Sequence, residues 1–217
     1  MPETAHNQPP AVKAMLDEML RIAGDDAHRP GVMEALADVM QKAVAKPEVL
    51  KYFQDATSDN PDLYGSMKDP GLGIMGVHSA KIGYREPHDH GNCWAINVQV
   101  AGKLRLVHWT QDGTDPATGK TRIRKIDEVL MGPGDVDCSP PGVAHELYPE
   151  TDDSIELAVR CHSLASIIQN RYDRTTGEHK HWSWGQKKAV ETGEFVVVGE
   201  AGLNARAPGE AMTARVK

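Results

Sequence analysis

Apolar side chains recur at three- and four-residue spacing through the first quarter of the chain. Val12, Met15, Met19 and Ile22 share one stripe that ends at Gly24, and Val32, Leu36, Met40 and Val44 share a second after Pro30. A third stretch, Glu48 to Asp55, opens at Pro47. Proline is tolerated there because a helix's first turn has no partner for the N–H that proline lacks. Stripes of this period predict amphipathic helices packed on a larger body. After Ser58 the texture changes to short apolar runs, and strands are predicted over 73–84, 93–100, 104–110, 121–130, 136–138, 144–148, 154–160 and 194–199. Turn signals separate them, among them Ala101-Gly102, Gln111-Asp112-Gly113, Gly132-Pro133-Gly134-Asp135 and Pro140-Pro141-Gly142. Several short strands at close spacing suggest a sandwich or barrel rather than a parallel sheet. The pattern predicts a mainly β chain: a helical segment over 1–58 packed on a barrel over 59–200, with a mobile tail over 201–217. The polar stretch from Ser163 to Gly193 fits neither period.

Composition narrows the function classes. At 217 residues, 40% hydrophobic and 25% charged, the chain has material for about one domain with a full core. Its apolar runs fall far short of the roughly 20 residues of a membrane span, and the opening MPETAHNQPP lacks a leader pattern. No membrane association is therefore expected. A net charge of −7 argues against nucleic acid as a partner. Cys93, Cys138 and Cys161 form no CxxC pair and no even framework, which predicts free thiols and a cytoplasmic setting. Exposed sheet edges are commonly paired, so a homodimer is an expectation to be checked. The chain has 10 His against 2 Phe, which raises the question of where imidazole clusters.

The densest answer is Arg85-Glu86-Pro87-His88-Asp89-His90-Gly91-Asn92-Cys93-Trp94. If the segment is extended, His88 and His90 point to one face about 7 Å apart at the backbone, near enough for both rings to reach one ion. Asp89 then faces away and is free to orient a neighbour. The competing reading is a pair of structural histidines. A second segment, Gly134 to His145, carries Gly134, Pro140, Gly142 and His145 at marker spacing. Together the two segments resemble the paired motifs of the cupin superfamily, over roughly residues 70 to 162. The resemblance implies a double-stranded β-helix, or jelly-roll barrel, in which His145 joins His88 and His90 as metal ligands.

Where many cupins add a glutamate, this chain has Trp94 and Ala95, so the implied ligand set is three neutral nitrogens. Such a set leaves the ion its whole charge and favours anionic substrates entering as ligands. Within three-histidine cupins, the Pro-His-Asp-His start followed by Trp resembles the thiol dioxygenases. That resemblance implies Fe(II) as cofactor, O2 as co-substrate and a small thiol oxidised to a sulfinate. It also makes His162, in Arg160-Cys161-His162-Ser163-Leu164, the counterpart of a relay histidine near the iron. A small anionic substrate needs a cation beside the metal, and Arg85 and Arg160 are the candidates, set against the ordinary reading of each as a solvated surface arginine. Two alternatives share the fold: a three-histidine dioxygenase that cleaves a C–C bond of a dicarbonyl, and a cupin that binds a metal or ligand without turnover.

Several neighbours carry plainer readings. Cys93 reads as a small buried residue. Trp94 reads equally as an apolar pocket wall or as core. The second His-x-His, His179 and His181, reads as a strand or loop that packs Trp182 and Trp184 on the barrel. His108 beside Trp109 is assigned no function, with strand parity turning one of the two outward.

Overall fold

The computed structural model describes residues 9–59, 72–162 and 166–199. The segment read as a mobile tail lies outside the described residues. Three helices come first: α1 (Pro10–Ala23), α2 (Val32–Val44) and α3 (Pro47–Asp59). Eight strands follow, with one short helix among them: β1 (Gly73–Val77), α4 (Ser79–Ile82), β2 (Arg85–His88), β3 (Ala95–Ala101), β4 (Leu104–Thr114), β5 (Thr121–Met131), β6 (Val136–Ser139), β7 (Val143–Pro149) and β8 (Ile155–Arg160). The stretch without a sequence pattern supplies β9 (Ile168–Asp173), β10 (Glu178–Ser183) and most of β11 (Lys188–Val198).

One sheet has the order β1-β8-β3-β6, and the other runs β2-β7-β4-β5. This interleaving of the first eight strands, with antiparallel neighbours throughout, is the jelly roll of the cupin fold. The second sheet then continues β5-β11-β10-β9 and returns to β2, so it closes into a ring. Only β11 against β5 is parallel within that ring. Closure leaves the ring without a free edge.

The apolar core lies mainly outside the sandwich. On β3 and β8 the residues Ile96, Val98, Val100, Ile155, Leu157 and Val159 turn away from the interior. They pack against Val12, Met15, Met19, Leu36, Met40 and Phe53 of the helices in one buried cluster. Each large aliphatic side chain buried there contributes about 1.5–3 kcal/mol. The alternate residues face inward, and they are polar: Asn97 and Gln99 on β3, Asp137 and Ser139 on β6, Glu156 and Arg160 on β8, all buried.

The far face of the ring sheet is covered as well. Trp109, Val107 and Ile123 pack against Tyr172 and Phe195 from the C-terminal strands. Glu146, which on β7 points opposite to His145, is fully buried in this second layer. It accepts hydrogen bonds from Tyr148 Oη at 2.7 Å, Tyr84 Oη at 2.8 Å, Trp109 Nε1 at 3.1 Å and Arg174 at 3.1 Å. Covering both faces corrects the expectation that one of His108 and Trp109 turns outward: they are 2% and 1% exposed.

The cysteines also depart from expectation. Cys93, before β3, and Cys161, after β8, are paired as a disulfide with Cα atoms 5.7 Å apart, and Cys138 alone is a free thiol. Two neighbouring strand ends in the β8-β3 pair bring together residues that sequence spacing alone leaves unrelated.

Candidate metal centre

Two local devices aim the histidines. Pro87 and the β2 backbone hold His88 extended, in register with His145 on β7. The chain then turns at Gly91, whose φ is +63° and whose added Cβ would lie 2.7 Å from the Ile168 carbonyl oxygen, so only glycine fits. Asp89 fixes this loop to β9. Its carboxylate accepts the backbone N–H of Gly91 at 2.9 Å, the backbone N–H of Asn170 at 2.9 Å and the Asn170 amide at 2.7 Å. Across the sandwich, the Pro140-Pro141-Gly142 turn feeds β7 and delivers His145.

His88, His90 and His145 each present one ring nitrogen, and these nitrogens lie within 4.8 Å of one another. The ring centroids are 4.7 to 5.5 Å apart, and His90 Nε2 is 3.2 Å from His145 Nε2. Burial holds His88 down to about 3 and pushes His90 and His145 well below the ordinary imidazole range, with the Arg160 charge acting in the same direction on His88 and His90. At neutral pH all three are therefore uncharged nitrogen donors.

A ligating imidazole carries its proton on the nitrogen that does not bind, and an acceptor normally holds that proton. His88 Nδ1 donates to the Glu86 carbonyl at 2.8 Å. His145 Nδ1 faces the Asn97 amide NH2, which donates to it at 3.2 Å, with the Ser139 hydroxyl 3.3 Å from the same nitrogen. The His88 ring is thus prepared to offer Nε2 to a cation. Three imidazoles without a carboxylate suit a divalent first-row ion. His90 resembles His145: its Nδ1 faces the Gln169 amide nitrogen at 3.2 Å.

Arg160 stands on the same inner face. It is opposite Ala95 in the β3–β8 register, and Ala95 is opposite Ser139, the residue that touches His145. Its guanidinium is buried, and burial lowers it to about 10, still charged at neutral pH. No hydrogen bond or ion pair to the Arg160 guanidinium is formed among the described residues, and its Nε is a buried donor without a partner. Glu156 supports its charge through space, but that carboxylate is already held by Arg85 Nη1. Arg85 also donates to Ser79 Oγ at 3.1 Å. The two candidate arginines therefore differ: Arg85 is committed to protein groups and Arg160 is not. His162 makes its ring contact and a short hydrogen bond with His28, from the α1–α2 connection.

Trp94 belongs to the helix-facing core, its indole N–H donated to the Ala27 carbonyl at 3.0 Å. His179 stacks on Tyr172 with centroids 4.6 Å apart, which places the second His-x-His in the packing of β10. Sequence reading missed Asn97, Ser139, Glu156 and Gln169. Asn97 and Ser139 sit at every-other positions of apolar strands, the pattern of a solvated sheet face, and Gln169 lies in the stretch without a period.

No family model matches the chain, and no curated protein matches it. Among solved structures it is similar to procruciferin, an 11S globulin from Brassica napus, at 10% identity over 46% of this chain and 21% of that one, with a TM-score of 0.31. It is similar to hydroquinone 1,2-dioxygenase PnpCD in complex with Cd2+ and 4-hydroxybenzonitrile at 12% identity, over 43% of this chain and 58% of that one, with a TM-score of 0.33. A recombinant oxalate oxidase in complex with glycolate shares 16% identity over 42% of this chain and 41% of that one, with a TM-score of 0.29. The chain thus spans less than two thirds of each. These likenesses are partial, and the architecture rests on the strand order itself.

Proposed function

We propose that the chain is an Fe(II)-dependent dioxygenase that oxidises a small thiol bearing an anionic group to its sulfinate. The balance is RSH + O2 → RSO2H, with both oxygen atoms passing to sulfur. The observation that carries this reading is the pairing of a three-histidine cluster with a buried, uncommitted guanidinium on one polar inner face. The motifs of the two histidine segments supply the thiol part of it.

Iron held by the three imidazoles would supply the O2 chemistry and a coordination position for the thiolate sulfur. The chain's own residues supply the rest. Arg160 grips the anionic end through its planar fork and fixes the substrate's orientation, and holding reactants at one place lowers the entropic part of the barrier. Asn97, Ser139 and Glu86 hold the ligand rings in position. His162 enters this reading through the motif resemblance, as a group handling protons beside the substrate.

The C–C-cleaving alternative wanted an apolar pocket around Trp94, and that side chain is spent on the helix-facing core. Elemental analysis together with O2 uptake over a panel of thiols and diketones tests the proposal. Stoichiometric iron and one sulfinate formed per O2 are expected with an anionic thiol. His88→Ala, His90→Ala and His145→Ala should each abolish stoichiometric metal. Full occupancy in His145→Ala would break the assignment of ligands. Oxygen consumed with a diketone but with no thiol would move the chain to the alternative chemistry, and a loaded protein inert to the whole panel would make it a binding protein.

A further inference from the structure

The Cys93–Cys161 bridge sits where two working segments of the chain meet. Cys93 closes the turn after His90: its backbone N–H donates to the His90 carbonyl at 3.0 Å. Cys161 follows Arg160 and precedes His162, one position past the terminal β3–β8 pair of Ala95 with Arg160. Where the backbone ladder ends, the sulfur bridge takes over. It ties the turn after His90 to the strand end that carries Arg160 and His162.

Both cysteines are buried in the apolar cluster beneath the helices, Cys93 at 1% and Cys161 at 0% exposure. A bridge that only staples a core has no use for polar neighbours, because a disulfide sulfur has no proton to donate. These two sulfurs have such neighbours. Cys93 Sγ lies 3.2 Å from the Trp94 carbonyl oxygen and 3.1 Å from the backbone nitrogen of Cys161. Cys161 Sγ lies 3.6 Å from His28 Nδ1, and the other nitrogen of that ring meets His162 Nε2. Each thiol that reduction creates thus finds an acceptor in place, a carbonyl for Cys93 and an imidazole for Cys161. The cover is thin as well: His28 and His162 are half-buried, so Cys161 Sγ is one partly exposed ring away from solvent. Cys138 is the contrast, a thiol in the same cluster that burial pushes up to about 12.

We propose that Cys93–Cys161 is an exchangeable bridge, opened by small thiols and re-formed by their disulfides, so that thiol supply sets how firmly the turn after His90 is held. A thiol RSH attacks Cys161 Sγ, the bridge breaks, and Cys93 leaves with the proton as a thiol facing the Trp94 carbonyl. A second RSH attacks the RS sulfur of the mixed disulfide and releases Cys161 as a thiol facing His28. Two electrons pass from the small thiols to the bridge: Cys–S–S–Cys + 2 RSH → 2 Cys–SH + RSSR. This exchange does not depend on the reaction proposed above, and either can fail without the other.

The test equilibrates the full chain, in chelator and without denaturant, in glutathione buffers of graded reduced-to-oxidised ratio. Bridge content is read by acid quench, alkylation and peptide mass spectrometry, and backbone hydrogen exchange is read in the same buffers. The bridge should open reversibly, with one midpoint reached from either side, and Cys138→Ser should leave that midpoint unchanged. The amides of residues 91–93 and 161–162 should exchange severalfold faster in the opened form. In His28→Ala the Cys161 thiol loses its acceptor, so the thiol excess needed for half-opening should rise about fivefold, the worth of one hydrogen bond. His28→Gln keeps an acceptor there and should restore the parent midpoint. A bridge that survives excess reduced glutathione until urea is added overturns the proposal and makes the pair a structural staple. Thiols at 93 and 161 that stay free in excess oxidised glutathione overturn it too. Opening with unchanged exchange at 91–93 overturns the link to the turn after His90, and an unmoved midpoint in a folded His28→Ala overturns the part given to the imidazole.

Discussion

Two arginines within the same sandwich have opposite claims on stability. Arg85 is paired with Glu156, whose Oε2 already lacks a partner and which is 1% exposed. Removing Arg85 would leave the buried Glu156 carboxylate without its bonded partner, with only the Arg160 charge acting on it through space, a change that costs up to about 3–5 kcal/mol. Arg160 has no such partner, and a buried charge without one is itself a burden on the folded state. Arg160→Met keeps the stem and removes the charge, so its melting temperature should match or exceed the parent's, while Arg85→Met melts well below it. Activity should split the other way for Arg160. Truncating one side of a buried charged contact typically costs about 2–5 kcal/mol of binding, so KM for an anionic thiol should rise about 30-fold or more in Arg160→Met. A melting temperature that falls with KM unchanged would make Arg160 structural. The asymmetry was invisible in the sequence, where both are single arginines close to candidate histidines. What separates them is Glu156, 71 residues from Arg85 in the chain and brought to it by the pairing of β8 beside β1.

Among the elements, β4, β5 and β6 are joined by a second buried cluster. His108 on β4 bonds Asp127 of β5 at 2.6 Å through Nδ1 and Asp137 of β6 at 3.0 Å through Nε2, which links the ring sheet to the four-stranded sheet across the interior. Burial opposes the charge on this ring, but the Asp137 charge and the bonds to both aspartates outweigh it and raise His108 to about 10. The folded value exceeds the ordinary 6.5, so the protonated ring stabilises the native state fully below about pH 6.5, and that contribution is lost as pH climbs toward 10. Stability in urea should therefore fall steadily between pH 7 and pH 10. Tyr148 and Cys138, both pushed up to about 12 by burial, stay neutral over this interval. His108→Leu should lose about 3–5 kcal/mol at pH 7, because two aspartates remain buried without their cation, and its stability should be nearly flat over the same pH interval. An unchanged slope in that variant would place the titrating group elsewhere. At this scale the sequence was legible for helices and for six of the first eight strands, since apolar period and Gly-Pro turns are local signals. It predicted a single strand over 73–84, where the chain forms β1, then the short helix α4, then β2. It was silent on β9 and gave β10 only as a strand or loop around His179 and His181, because their pleat is carried by residues such as Gln169, Tyr172 and His179, buried by the ring's closure rather than by their own hydrophobicity.

For the molecule as a whole, stability and chemistry are placed in separate layers. The apolar cluster that joins α1, α2 and α3 to β3 and β8 does most of the packing, and the space between the sheets, where a sandwich ordinarily keeps its core, holds only a smaller cluster of Leu104, Leu106, Met131 and Leu147 beside its His, Asp, Asn, Gln, Glu and Arg. Leu36 on α2 is fully buried in the first layer, and His145 is 3% exposed in the second. Cutting Leu36 to alanine removes apolar contacts and leaves a cavity, a loss of about 2–5 kcal/mol. Because that cavity opens on the outer face of the four-stranded sheet, metal affinity under native conditions should stay at the parent value. His145→Ala should do the reverse, abolishing metal while costing the metal-free protein about 1–3 kcal/mol for the buried Asn97, Ser139 and His90 groups it leaves unpaired. The two layers are separated by a sheet, so the metal-free double variant Leu36→Ala with His145→Ala should show additive losses within about 0.5 kcal/mol. Urea denaturation of the four proteins in chelator measures this. A coupling well above that margin would mean that the sheet transmits helix packing to the histidines, and that the helices help to set the metal site instead of only supporting the barrel around it.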